Sequence, residues 1–115
     1  MDRIFYAGGE AVTGTAIAKA LLEYAEGLAR SNTSATVDIP TLLENGSVGR
    51  SKFLIGPASQ LITETEPTEH DEIIDEALIK SFQDETRELR QNQPHRLSAK
   101  EQSPQIDVPN WIDDL

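Results

Sequence analysis

The feature that most constrains the fold of this chain is an amphipathic segment spanning residues 13–30. Its large apolar residues recur at the three- and four-residue spacing of one helical face; they are Ile17, Leu21, Tyr24 and Leu28. Charged residues repeat the same spacing on the opposite face: Lys19, Glu23, Glu26 and Arg30. Such a stripe requires a sheet or a second helix to cover it. We therefore predict a helix here, packed on the core.

A short strand is predicted before this helix, at residues 3–7, where aromatic and β-branched side chains end at Gly8 and Gly9. Apolar side chains fall on both of its faces, which favours an inner strand of a sheet. The segment from Gly8 to Thr15 is predicted to be the loop that joins strand and helix. Within it, either Thr13 or Thr15 can cap the helix.

A β-hairpin is predicted for residues 36–43 and 48–55, which flank the turn sequence Asn45-Gly46. The second strand should end at Gly56-Pro57. Residues 60–63 are compatible with a further strand or with a short helical turn, and the pattern favours the strand.

The hairpin register follows from the cross-strand pairs that each turn length creates. A two-residue turn would place Asp38 opposite Phe53, a poor pair. A three-residue loop with Gly46 in the left-handed conformation instead pairs Val37 with Phe53 and Asp38 with Lys52. We therefore predict the three-residue loop.

A second helix is predicted between Pro67 and Gln91, with a capping box at residues 68–71. Its acidic residues cluster at the start and its basic residues follow, which complements the helix dipole. Its apolar stripe is narrow and comprises Ile73, Ile74, Ala77, Leu78 and Phe82. The first half is therefore expected to dock on the core and the second half to be solvated.

These elements predict an α+β fold, in which a small antiparallel or mixed sheet (strand, helix, hairpin) packs on one amphipathic helix. A second acidic helix and a disordered tail follow. The predicted parts are a compact domain at residues 1–66, the amphipathic acidic helix at residues 67–91 and a flexible tail at residues 92–115. The predicted core comprises Ile4, Tyr6, Ile17, Leu21, Tyr24, Leu28, Val37, Ile39, Phe53 and Ile55. A core this small leaves homodimerisation open as a further source of stability.

The acidic composition restricts the class of partner. The formal net charge is −10, which repels phosphate backbones and argues against nucleic acid. The absence of cysteine excludes disulfides and thiolate metal sites. No apolar run has the length of a membrane helix and the N-terminus does not resemble a secretory signal, so we expect no membrane partner and a cytoplasmic location.

Candidate catalytic and cofactor motifs are weak. The glycine-containing run from Gly8 to Thr15 resembles an anion-binding loop, but it lacks the GxGxxG and GxxxxGK[ST] patterns and contains Glu10. His70 lies in an acidic stretch without convergent ligands, and no serine occurs in GxSxG. We therefore predict no catalytic residue, no cofactor and no metal ligand.

The most specific motif is the C-terminal sequence DVPNWIDDL. Val108, Trp111, Ile112 and Leu115 fall at i, i+3, i+4 and i+7, the anchor spacing of a helix that lies in an apolar groove. The groove can belong to another protein, to a second copy or to this domain itself. The sequence thus favours a non-enzymatic protein–protein interaction module with a C-terminal docking motif. The alternative is a small-molecule or anion-binding domain that uses the loop from Gly8 to Thr15.

Overall fold

The computed structural model describes residues 1–91, which form an α+β fold of two helices and two small antiparallel sheets. The elements in chain order are β1 (Asp2–Tyr6), β2 (Gly9–Thr13), α1 (Thr15–Arg30), β3 (Ala35–Leu42), β4 (Val48–Ile55), β5 (Ile62–Thr65) and α2 (Glu76–Gln91). The predicted tail and its docking residues Val108, Trp111, Ile112 and Leu115 lie outside the described residues. Neither α1 nor α2 combines the length and apolarity that crossing a membrane requires.

The first sheet has the strand order β2-β1-β5, so β1 is the inner strand that its apolar faces predicted. The predicted loop from Gly8 to Thr15 is wrong, because β2 occupies most of it and pairs antiparallel with β1. Gly8 makes the tight turn between them with a φ of +83°, a conformation that glycine adopts readily. The two glycines therefore turn the chain back into the sheet instead of leading it into the helix.

The hairpin of β3 and β4 has the predicted register, with Val37 opposite Phe53 and Asp38 opposite Lys52. Gly46 has a φ of +87°, and the amide of Leu43 donates to the carbonyl of Ser47 at 2.8 Å. This bond closes the predicted three-residue loop. Residues 62–65 form β5 beside β1, so the strand favoured for this region is confirmed.

Helix α1 begins at Thr15, with Gly14 at its N-cap in an extended conformation and without a side-chain cap. Neither predicted cap has that role: Thr15 is the first residue of the helix, and Thr13 is buried in β2, where its hydroxyl donates to the carbonyl of Pro40 at 2.7 Å. That bond joins the first sheet to the second. The buried face of α1 is the predicted one: Ile17, Leu21, Tyr24 and Leu28, together with Ala18, Ala20 and Gly27.

Helix α2 begins at Glu76 and not at residue 68 as predicted. Asp75 provides the cap, since its Oδ1 accepts from the amide of Leu78 at 3.1 Å. Residues 66–75, here called the strap, cross the fold in non-helical conformation before α2. Because Ile73 is buried within the strap and Ile74 is 69% exposed, the predicted stripe does not continue through these two residues.

The second half of α2 is not solvated as predicted. Phe82 and Thr86 are buried, and Leu89 approaches Gly27 of α1 closely. The second half of α2 therefore packs on α1, although its own sequence shows little apolar surface.

Helix α2 runs parallel to α1. The strap residue Ile73 contacts Gly14 at the start of α1, and Phe82 stacks on Tyr24 with ring centroids 5.4 Å apart. The hydroxyl of Tyr24 donates to Glu85 at 3.1 Å, and burial beside that carboxylate raises the pKa of Tyr24 to about 12. Since Leu89 follows beside Gly27, the described chain ends near the C-terminus of α1.

Eight of the ten predicted core residues are buried: Ile4, Ile17, Leu21, Tyr24, Leu28, Val37, Ile39 and Ile55. The other two, Tyr6 and Phe53, are half-buried and stack on each other with centroids 5.1 Å apart and planes within 8°. They therefore lie at the edge of the core.

The burial of α1 predicts different outcomes for two neighbouring leucines. Leu21 is 1% exposed and Leu22 is 39% exposed. We expect Leu21→Ala to lower the free energy of unfolding by about 2–5 kcal/mol, because it removes packed methyl groups and leaves a cavity. The matched change Leu22→Ala should cost less than about 1 kcal/mol. Equal effects in chemical denaturation would show that the helix presents a different face to the core.

The crossing of the strap over α1 predicts that Gly14 cannot carry a side chain. A methyl group built there would lie 1.8 Å from the carbonyl oxygen of Ile73. Gly14→Ala should therefore destabilise by at least about 1–3 kcal/mol, the usual cost of overpacking.

Gly27→Ala is the matched control, because its methyl group would meet side chains and not backbone. The tightest of these contacts is with the flexible Cδ1 of Leu89 at 3.2 Å, and Cβ of Leu89 and Cγ2 of Thr86 follow at 3.8 and 4.0 Å. The gain in helix propensity should offset that contact and leave stability nearly unchanged. A Gly14→Ala variant that melts like the wild type would contradict the close crossing.

Candidate functional site

A cleft of about 810 Å³ lies at the end of the fold where β1 and β4 terminate. Its apolar walls are formed by Phe5, Tyr6, Phe53, Leu54, Leu61 and Ile62. The loop between β4 and β5 completes it on one side, and Ser34, just before β3, borders it on another. This volume falls within the range of ligand-binding pockets in proteins. We refer to it below as the apolar cleft.

The strand registers bring the apolar side chains of the cleft together. Phe5 lies opposite Ile62 in the β1–β5 pair. Tyr6 stacks on Phe53 and so connects the first sheet to β4. Leu54 follows Phe53 and lies on the opposite face of β4, where it is 68% exposed. The result is a surface of large apolar side chains that the described fold does not cover.

Among the residues 1–91 that the structure describes, those that line the apolar cleft include no Asp, Glu, Lys, Arg or His. In the whole chain, by contrast, 26% of the residues are charged. The polar groups of its bordering turn are paired locally: the amide of Ser59 donates to the carbonyl of Gly56 at 3.0 Å, and the amide of Gly56 donates to the hydroxyl of Ser59 at 2.9 Å. The cleft is therefore suited to apolar contacts and offers no charged group for proton transfer.

A second candidate site is the N-terminus of α1, where free amide groups commonly bind anions. Here the amide of Thr15 donates to Oε2 of Glu72 at 2.6 Å. The amino group of Met1 lies 2.9 Å from Oε1 of the same carboxylate. The hydrogen bond from Thr15, together with the bond from Met1, holds the pKa of Glu72 below its ordinary range. A carboxylate of the chain itself thus lies where an external anion would bind.

Arg3, which lies in β1 of the β1–β2 hairpin, is also paired within the chain. Its guanidinium contacts Glu66 at 2.6 Å and also contacts Glu10, and these bonds raise the pKa of Arg3 above its ordinary value. The contacts of the segment from Gly8 to Thr15 therefore favour a structural role over anion binding.

The contact of Glu72 predicts a defined pH dependence. Because its pKa is lower in the folded than in the unfolded protein, its contribution is present above the ordinary carboxyl pKa of about 4.3 and is lost as the pH falls through the folded value. Glu72→Gln should lower the free energy of unfolding by about 0.5–1 kcal/mol at neutral pH. The difference from the wild type should disappear in acid.

Glu69→Gln is the control, since it removes the same charge from an exposed position in the strap. Denaturation curves across the acid range measure both variants. If Glu72→Gln and Glu69→Gln show the same pH dependence, the bond between Glu72 and Thr15 does not stabilise the helix.

His70, the other titratable residue considered from sequence, lies against the hairpin loop. A methyl group built on Gly46 would lie 3.0 Å from its Cε1. Within residues 1–91, no group of three or more His, Cys, Asp or Glu side chains is placed to hold a metal ion. Ser59 has a structural role in the turn after β4, because it is bonded to both the amide and the carbonyl of Gly56.

The apolar cleft was not among the predicted sites, although its components carried a signal. Strand alternation places Phe5 and Leu54 on the faces opposite Ile4 and Ile55, which are buried. Large apolar residues on two outward faces indicate a surface that requires a partner. The predicted docking residues Val108, Trp111, Ile112 and Leu115 lie outside the described residues, so that site stays a prediction.

Comparison of the chain with protein-family models, with curated proteins and with solved structures found no match.

Proposed function

We propose that this protein is a non-enzymatic protein–protein interaction module that acts in the cytoplasm. The observation that supports this best is the apolar cleft, a charge-free and exposed apolar surface on a chain with a net charge of −10. Exposed apolar surface of this kind on a soluble domain usually marks an interaction site, because leaving it in water is unfavourable.

The C-terminal motif supplies the second docking element of the proposal. Trp111 is the sole tryptophan of the chain, and tryptophan is enriched among the residues that dominate binding energy at interfaces. Val108, Ile112 and Leu115 complete an apolar face at helical spacing. Asp113 and Asp114 add negative charge beside this face. The partner therefore has an apolar groove bordered by Lys or Arg side chains.

The proposal predicts that binding depends on the apolar anchors and not on the polar residue between them. We expect the double variant Trp111→Ala/Ile112→Ala to lose about 30-fold or more in affinity, the equivalent of about 2 kcal/mol at interface hot spots. Quantitative co-purification identifies the partner, and titration of the purified partner measures the affinity.

Asn110→Ala is the control, because it shortens a polar side chain inside the same motif. It should leave affinity within a few-fold of the wild type. A partner that binds the double variant and the wild type equally would contradict the proposed docking role of the motif.

A further inference from the structure

We propose that the apolar cleft receives residues 108–115 of the same chain, so that the module has a closed state in which its docking residues are covered. This inference rests on the docking role proposed above for Trp111 and its neighbours. In this closed state, the cleft competes with the proposed partner for residues 108–115. Three properties of the described residues support it: where the chain leaves the fold, the lining of the cleft and the charge beside it.

The chain leaves the described fold at the end that carries the apolar cleft. Helix α2 runs parallel to α1, and Leu89 lies beside Gly27 three residues before the end of α1. From Arg30 the chain needs only four more residues to reach Ser34, which borders the cleft. The described part of α2 therefore ends at the C-terminal end of α1, close to the cleft, and not at the opposite end of the molecule.

The length of chain between α2 and the motif is sufficient for this return. Residues 92–107 separate the end of α2 at Gln91 from Val108. The sequence predicts that these residues belong to a flexible tail, and a flexible segment of this length has a root-mean-square span of roughly 20–24 Å. A short flexible connection also gives an effective concentration in the millimolar range, so a weak contact suffices to populate the closed state.

The lining of the cleft matches the apolar face of the motif. The cleft presents Phe5, Leu54 and Ile62 without any charged side chain. Trp111 and Ile112 bring an aromatic and a branched apolar group, whose burial is the main favourable term in such a contact.

Lys52 provides a positive charge beside the cleft that can pair with the acidic residues at the end of the motif. Lys52 is exposed two residues before Leu54 and so projects from the same face of β4. Its cross-strand neighbour Asp38 is bonded to Arg50 at 2.9 Å, and within residues 1–91 Lys52 has no ion-pair partner within 4.0 Å. Asp113 or Asp114 can therefore pair with Lys52 while the apolar anchors enter the cleft.

Fluorescence of Trp111 tests the closed state directly, because no other tryptophan contributes. In the isolated protein with residues 1–115 we expect blue-shifted emission that does not change over a hundred-fold dilution. Leu54→Glu and Ile62→Glu should each move the emission to the wavelength of tryptophan in water. Both residues are largely exposed, at 68% and 60%, so neither change disturbs the core.

Val48→Glu is the matched control. Val48 lies on the same face of β4 as Leu54, is 59% exposed and is absent from the lining of the cleft. It should leave the emission unchanged, and circular dichroism should show that all three variants keep their fold.

Four results would overturn the proposal. Water-like emission in the wild type shows that Trp111 is not covered, and a blue shift lost on dilution shows docking into a second copy. If neither cleft variant changes the emission, Trp111 is covered at another place. If Val48→Glu changes the emission as much as the cleft variants do, the change does not report on the cleft.

The closed state and the proposed function fail in distinguishable ways, because the fluorescence experiment contains no partner. If emission behaves as expected but no partner depends on Trp111, the closed state stands and the proposed function fails. If a partner depends on Trp111 while emission is water-like, the function stands and the closed state fails.

Discussion

The close crossing at Gly14 determines how the rest of the described chain is arranged. The carbonyl of Ile73 lies so near Gly14 that a side chain at that position has no space. The crossing buries Ile73 and brings Glu72 to the amide of Thr15, so a single contact region covers the start of α1 and satisfies one of its free donors. It also sets where α2 begins and aligns α2 parallel to α1. The position of the chain exit beside the apolar cleft follows from that direction.

A hydrogen bond and an aromatic contact are among the interactions that connect the two sheets. The hydroxyl of Thr13 bonds the carbonyl of Pro40 across β2 and β3, where the sequence had suggested a helix cap. At the other end, Tyr6 stacks on Phe53 and fixes β4 relative to β1. Because Ile4 and Ile55 turn inward to the core that they share with α1, the outward residues Phe5 and Leu54 remain available to a ligand. The cleft is thus a product of how the sheets meet and not of any single element.

Local patterns predicted the parts of this structure that depend on neighbouring residues. The periodicity of Leu21 and its partners gave the buried face of α1, and the pairing of Val37 with Phe53 gave the hairpin register. The sequence did not predict β2, because glycines at a strand end signal a loop as readily as a tight hairpin. The start of α2 was also missed, since Thr68 and Asp75 are both capable caps and the burial of distant Ile73 decides between them. The cleft required the relative placement of two sheets, which no local pattern contains.

In the proposed closed state, a weak apolar contact between the cleft and the motif is enough to regulate binding of a partner. A motif that binds the cleft with a dissociation constant of about 100 μM would be roughly tenfold more often closed than open at an effective concentration of about 1 mM. An external partner that binds only the open form then loses about tenfold in apparent affinity, or about 1.4 kcal/mol. Only a groove more complementary to Trp111 than the module's own cleft overcomes this competition. Because Lys52 provides one cation beside the cleft, a partner with several cations around its groove gains the additional attraction to Asp113 and Asp114. The motif can in this way remain covered by its own domain and still select a partner whose apolar groove is bordered by several basic side chains.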